Sequence, residues 1–436
     1  MDGAPLALAT SQFTMAMTDE TASIRMNAEP ATAFSWRGAT SAQRHVVIAA
    51  ALGWMLDAFD VMLYSIVLAT LMRAFSMSRT TAGLLNALTL IASALGGLIF
   101  GVLADRFGRR RMLSASILVY SVFTFACGLS TSIAVLAVCR FVLGLGMGGE
   151  WNTGAALVAE SWPSALRGRA LGIVQSSWAV GYAISAVVAE VILAHATWRW
   201  VFFAGILPAA LVFWIQHRVP EPQIWERAHA GQAKAEQRGR VRGSVRALIV
   251  LTLTNTFGMF GWWGLFTWIP AYLVLPVSQG GRGFQALGLT GFLVTVNLLG
   301  MLPGYLLFGF LADRFGRKRA FVAYLAAAAA AVPLLAGARE ASWILAFSCL
   351  AAFFGTGFFT GSGIIGSEIF PTERRATALG ISYNVARGLS ALAPVTIGAL
   401  SERHGLAWAF GASAVAFAAA TLMALLLPET RGVELA

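Results

Sequence analysis

The chain is short of charge. Only 12% of its 436 residues are Asp, Glu, Lys or Arg, and acids are scarcer than bases, 20 against 31. With 58% hydrophobic residues and a mean hydropathy of +0.72, so little charge cannot keep a folded surface wet, which excludes an ordinary water-soluble domain. The three cysteines, Cys127, Cys139 and Cys349, stand in apolar runs at no metal-ligand spacing. Neither a disulfide framework nor a metal site is expected. None of the five histidines lies deep in an apolar run, so any buried proton carrier has to be a carboxylate. The glycine-rich run over residues 144–149, GLGMGG, has no following Lys-Ser/Thr and sits in an apolar stretch. It is not a phosphate loop, and no cofactor is expected. No catalytic constellation is present, and the chain reads as a non-enzyme.

What is abundant is apolar length. A helix crossing the bilayer takes about 20 mostly apolar residues, and residues 46–427 hold twelve such stretches with short connections. A repeat divides them into two sets. Phe100 to Arg111, FGVLADRFGRRR, returns at Phe308 to Arg319 as FGFLADRFGRKR, ten identities in twelve positions at an offset of 208. The same offset aligns Glu160 to Gly172 with Glu368 to Gly380, and Pro220-Glu221 with Pro428-Glu429. A period this long belongs to a duplicated bundle, not to a solenoid. The expected fold is an all-α membrane protein with twelve transmembrane helices in two six-helix pseudo-symmetric halves. Its expected parts are a disordered tail (residues 1–44), a first half (45–217), a polar linker (218–247), a second half (248–427) and a short tail (428–436).

A net charge of +11 raises the question of a nucleic-acid partner, and the placement of the bases answers it. They gather in alternate loops, at Arg106, Arg109 to Arg111, Arg314 to Arg319 and Arg218 to Arg246. Only Arg73, Arg79, Arg199, Arg282, Arg339 and Arg403 fall in loops on the other side, while Arg140 and Arg387 lie within spans. This is the positive-inside pattern with both termini cytoplasmic. The bases report orientation, and no nucleic-acid role is expected. Residues 1–44 lack the apolar core of a secretory signal. The expected location is the inner (plasma) membrane, crossed many times.

The repeated motif between spans two and three and between spans eight and nine, RFVLGLGMGG in span four and the PE pairs after spans six and twelve resemble the major facilitator superfamily. LDAFD in span one, GMGGEW in span four and YNVAR in span eleven further resemble its metabolite:proton symporter branches, those carrying sialate, lactate and aromatic acids. The resemblance implies a monomer working by alternating access. It also implies a cytoplasmic gate: Gly101 and Gly309 let another helix come close, and Asp105 would face helix 11 and Asp313 helix 5, tying one half to the other. Arg109 and Arg317 complete the two latches, or serve only as topology anchors.

Charges inside a span are costly, about 2.5–3.5 kcal/mol each at a helix centre, so they face the interior and mark function. Asp57 and Arg387 each lie near mid-membrane, and neither recurs at the 208 offset, where Leu265 and Ala179 stand. Gly53, Asp57, Asp60 and Tyr64 share one helical face, as do Tyr383, Asn384 and Arg387. The planar fork of Arg387 suits a carboxylate, with Tyr383 and Asn384 beside it. Gln175, Trp262 and Trp263 are further candidates for the substrate's polar and apolar parts, though tryptophans also form interfacial belts. A carboxylate out of water favours its neutral form and can carry a proton. Asp57, Asp60 and Glu150 are the candidate carriers, and Arg140 the base that could modulate one of them. The alternative is a static ion network. The function expected is a proton-coupled symporter of a small organic anion, a mono- or aromatic carboxylate; the alternative is a proton-coupled efflux antiporter of small organic molecules. The partners are the anion, the proton and the lipid bilayer.

Overall fold

The computed structural model describes residues 38–162, 164–222, 245–284, 286–370 and 372–431. Most of the expected tail and linker lies outside them. The described residues are helical throughout, with no strand among them. Numbered by span, the first half comprises α1 (Ser41–Ala74), α2 (Arg79–Phe107), α3 (Arg109–Gly128), α4 (Ile133–Ser161), α5 (Ser164–Leu193) and α6 (Trp198–Arg218). The second comprises α7 (Val245–Val274), α8 (Gly288–Phe315), α9 (Arg317–Gly337), α10 (Ala341–Ile369), α11 (Thr372–Ser390 with Leu392–His404) and α12 (Leu406–Ala424).

Helix starts follow the side chains available. Thr40 and Gln43 exchange backbone and side-chain bonds in a capping box that opens α1, and the hydroxyls of Ser78 and Ser132 accept backbone N–H groups to open α2 and α4. Prolines set the breaks. Pro208 follows a 3₁₀ turn, Ala204–Ile206, in α6, and Pro303 follows a π turn, Val296–Met301, in α8. In α11 the ring of Pro394 crowds the carbonyl of Ser390 and offers it no N–H, and the helix parts at Ala391.

Among the described residues, eleven helices are long and apolar enough to cross a membrane. The twelfth, α11, falls short because it is split into pieces of 19 and 13 residues and carries Arg387, Asn384 and Tyr383. The outer faces are apolar: Leu84, Ile91, Leu95, Leu98 and Val102 form an exposed stripe along α2, as a helix presents to lipid.

The halves meet through α1 with α7, α2 with α11, and α5 with α8. Under the 208 offset the last two pairings exchange, so the halves are related by a pseudo-twofold axis running between α1 and α7. Both copies of the repeated motif lie on one face of the bundle, called the motif face below.

Candidate functional site

On the motif face, the repeat carries a complete charge network. Arg109 bonds Asp105 at 2.7 Å and Glu160 at 2.9 Å, and Arg317 bonds Asp313 and, at 3.2 Å, Glu368. Glu221 accepts the N–H of Arg110 at 3.1 Å and Glu429 that of Arg317 at 2.8 Å, capping the starts of α3 and α9. The side chains of the two networks, Asp105 and Asp313, Arg109 and Arg317, Glu160 and Glu368, Glu221 and Glu429, are each again 208 residues apart. Burial alone would push the Glu429 carboxyl up, but the N–H groups of Arg431, Arg317, Lys318 and Thr430 outweigh it and hold it below the usual carboxylate range.

These described contacts join parts of the same half, where latches between halves were expected. Asp105 and Asp313 are largely exposed, and the first turns of α11 and α5, where their expected partners lie, are outside the described side chains. Gly101 and Gly309 make no close helix contact, with no described atom within 4 Å of where a Cβ would stand. The glycines that the network needs are Gly108 and Gly316. They take φ of +101° and +105°, and a Cβ there would stand 2.4 and 2.7 Å from the carboxylates of Glu221 and Glu429.

The opposite face is sealed. Arg79 donates to the carbonyls of Ser401, at 2.8 Å, and Gln279, and Glu402 accepts the Thr80 N–H at 2.8 Å. The start of α2 and the end of α11 thus satisfy each other's orphan groups across the two halves. Deeper in, Asn86 donates to Thr267 at 2.9 Å, and Arg387 to Ser93 at 2.7 Å. Among the described residues no hydrogen bond between halves lies nearer the motif face than Ser93.

Arg387 is buried at the level where those bonds stop. Its guanidinium also donates to the Tyr383 hydroxyl at 3.0 Å and lies 4.9 Å from that ring's centroid, leaving Nε without a partner. Asp57 and Glu150, both buried, are near enough to Arg387 to interact electrostatically. No N–O contact of 4 Å or less joins them among the described residues. Gly53 leaves the space for Glu150, whose Oε1 sits 2.5 Å from where a Cβ would be. Two acids from α1 and α4 therefore share one base from α11.

The other expected carriers lie elsewhere. Asp60 turns towards Thr124 of α3 and Gly205 of α6, inside the first half. Arg140 meets no carboxylate among the described residues: it donates to Asn86 at 2.9 Å and lies 4.0 Å over the Tyr64 ring. The polar stripe of α1 thus faces several neighbours, and only its Asp57 level reaches α11. Asn384 bonds its own helix at Gly380 and packs on Gly97. Gln175 is buried on α5.

From Tyr383, beside Arg387, runs a series of aromatic side chains. Tyr383 lies 5.8 Å from Trp151, which lies 4.6 Å from Trp54. Trp54 packs on Trp178 at 4.7 Å, and Trp178 on Trp262 and Trp263 at 6.0 and 6.2 Å. Trp262 continues to Phe359, and Phe359 to Tyr305. Trp54, Trp151, Trp178, Tyr305 and Phe359 were not picked out from the sequence. A signal was present, since Trp54 and Trp262 are 208 apart, as are Trp151 and Phe359.

Comparison with known proteins agrees with this architecture. The Major Facilitator Superfamily profile matches residues 50–292 and 282–435. A probable 4-methylmuconolactone transporter of Cupriavidus pinatubonensis is 34% identical over 415 residues, covering 92% of this chain and 94% of that protein. The cis,cis-muconate transport protein of Acinetobacter baylyi is 31% identical, covering 82% and 88%, and the sialic acid transporter NanX of Escherichia coli 32%, covering 87% and 93%. In fold, the chain is similar to the proton:xylose symporter XylE bound to 6-bromo-6-deoxy-D-glucose, with a TM-score of 0.74 at 19% identity over 91% of this chain and 98% of that one. A duplicated twelve-helix bundle with a charged network under each half, a sealed face and a buried charge cluster between the halves has a plain assignment: the chain is a multi-pass membrane transporter and belongs to the Major Facilitator Superfamily.

Proposed function

We propose that the protein is a proton-coupled symporter of a small organic anion, an aromatic or similarly planar carboxylate, taken up by alternating access. The observation that carries the proposal is one buried guanidinium, Arg387, packed on the Tyr383 ring and within electrostatic reach of two buried acids, Asp57 and Glu150. Arg387 binds the carboxylate, and its unpartnered Nε supplies a free donor.

Charge balance then couples the proton. A dry site tolerates little net charge, so without substrate one acid is ionised to offset Arg387. An incoming carboxylate takes over that role, and the displaced acid must hold a proton. One proton enters with each monocarboxylate, and the two leave together. The relatives' names, for muconate, methylmuconolactone and sialic acid carriers, support an acidic or acid-derived substrate. The bases on the motif face make that face cytoplasmic. Opening the sealed face exposes the site outward, while the first turns of α5 and α11 close on the Asp313 and Asp105 networks.

The test is uptake of labelled carboxylates by proteoliposomes under an inward proton gradient. Wild type should accumulate one acid and lose accumulation with a protonophore. Arg387→Gln, which leaves a buried carboxylate unpaired, should weaken binding by about 2–5 kcal/mol, at least thirtyfold. Asp57→Asn should keep exchange and lose uphill uptake. Gradient-driven extrusion with no uptake would favour the efflux antiporter instead.

A further inference from the structure

The aromatic series is nearly symmetric, and its polar groups are not. Trp54 with Trp151 and Trp262 with Phe359 are equivalent pairs, one from each half, at the same 208 offset. On the connecting helices the equivalence fails: Trp178 and Ala179 of α5 correspond to Ala386 and Arg387 of α11. At this level α11 carries a guanidinium, and α5 carries Trp178.

Trp178 packs on both Trp54 and Trp262. All three indole N–H groups lack a hydrogen-bond partner, although none of the rings is more than 4% exposed. A buried donor left unpaired costs about 1–3 kcal/mol. Three on contiguous rings mark a surface that awaits an acceptor from another molecule. Tyr182, one turn beyond Trp178 on α5, adds a buried hydroxyl that is likewise unpartnered. These donors are neutral. The buried cations among the described residues are Arg387 and Arg140, and Arg140 is held by Asn86 and Tyr64. A second carboxylate would find no counter-charge on the α5 side.

Resting on the carboxylate reading above, we propose a second subsite on α5, in which the indole N–H of Trp178, flanked by those of Trp54 and Trp262, donates to a neutral acceptor at the far end of a planar acid whose carboxylate is held by Arg387. The substrate class is a flat monocarboxylate with a second, uncharged acceptor across its ring: a ring nitrogen, a lactone or ring carbonyl, or a hydroxyl. Sites built to hydrogen-bond a polar group discriminate strongly against analogues that lack it.

Three probes of one shape separate the terms: benzoate, with no second acceptor; pyridine-4-carboxylate, with a neutral ring nitrogen; and terephthalate, with a second carboxylate. In proteoliposome counterflow at pH 7.5, pyridine-4-carboxylate should half-saturate at least tenfold below both of the others. Trp178→Phe keeps the ring and deletes the N–H. It should raise half-saturation about tenfold for pyridine-4-carboxylate, or 1.4 kcal/mol, and leave benzoate within twofold; Trp262→Phe should repeat the pattern more weakly. An equal change for all probes, or no wild-type preference for the ring nitrogen, overturns the subsite while leaving the Arg387 reading intact. If wild type carries none of the three, the carboxylate reading fails and the subsite with it.

Discussion

At the scale of single residues, two kinds of charge do different work. Arg387 is buried with a spare donor beside two acids, and its geometry matters as much as its charge. Arg387→Lys keeps the cation but loses the fork, so binding should recover only part of the Arg387→Gln loss, measured as half-saturation in the same vesicles. Glu429 is a structural charge. Its folded carboxyl titrates below its unfolded value, so it contributes stability that is fully present above the unfolded value and is lost as pH falls through the folded value. Glu429→Gln should lower the thermal midpoint of the detergent-solubilised protein at neutral pH, and the gap from wild type should close as the pH falls through the carboxylate range. A gap independent of pH would show that packing, not charge, is lost.

At the scale of elements, helix ends decide which face is closed. The start of α2 and the end of α11 complete each other through Arg79 and Glu402, with no counterpart for those bonds on the motif face among the described residues. Removing the clasp should release that face. With spin labels replacing Arg73 and Val277, Arg79→Ala should shift the inter-label distance distribution towards longer separations without unfolding the protein. An unchanged distribution would assign closure to the deeper bonds of Asn86 and Arg387. The break in α11 belongs to the same scale: Pro394, four residues after Ser390, interrupts the regular helix, and its carbonyl accepts from Trp268 at 3.0 Å.

Over the whole molecule, scaffold is duplicated and function is not. Glu160 and Glu368 hold equivalent arginines in the two halves, so Glu160→Gln and Glu368→Gln should each cost about 1 kcal/mol and lower the thermal midpoint to a similar degree. A large difference would mean that one half carries the stability. The buried charges at the centre depart from the duplication, because Asp57, Glu150 and Arg387 are matched by Leu265, Phe358 and Ala179. A single polar substrate on a pseudo-twofold axis can meet its carboxylate partner on one side only.

The sequence by itself determined the class of molecule, the number of spans, the duplication and which charges stand within apolar runs. These were legible because burying a charge in a membrane is costly enough that Arg387 and Asp57 stand out in apolar runs, and because a repeat of ten in twelve positions needs no structure to be seen. Tertiary structure alone decided which charges meet. Asp57 and Asp60 are one turn apart, yet one reaches α11 and the other turns into the first half, a difference set by helix rotation that periodicity does not carry. It also decided which tryptophans are buried. Trp200, Trp343 and Trp408 are more than half exposed, and Trp54, Trp178 and Trp262 are buried together; both groups sit in apolar helices, and only packing between the halves distinguishes an outward-facing indole from one enclosed between them.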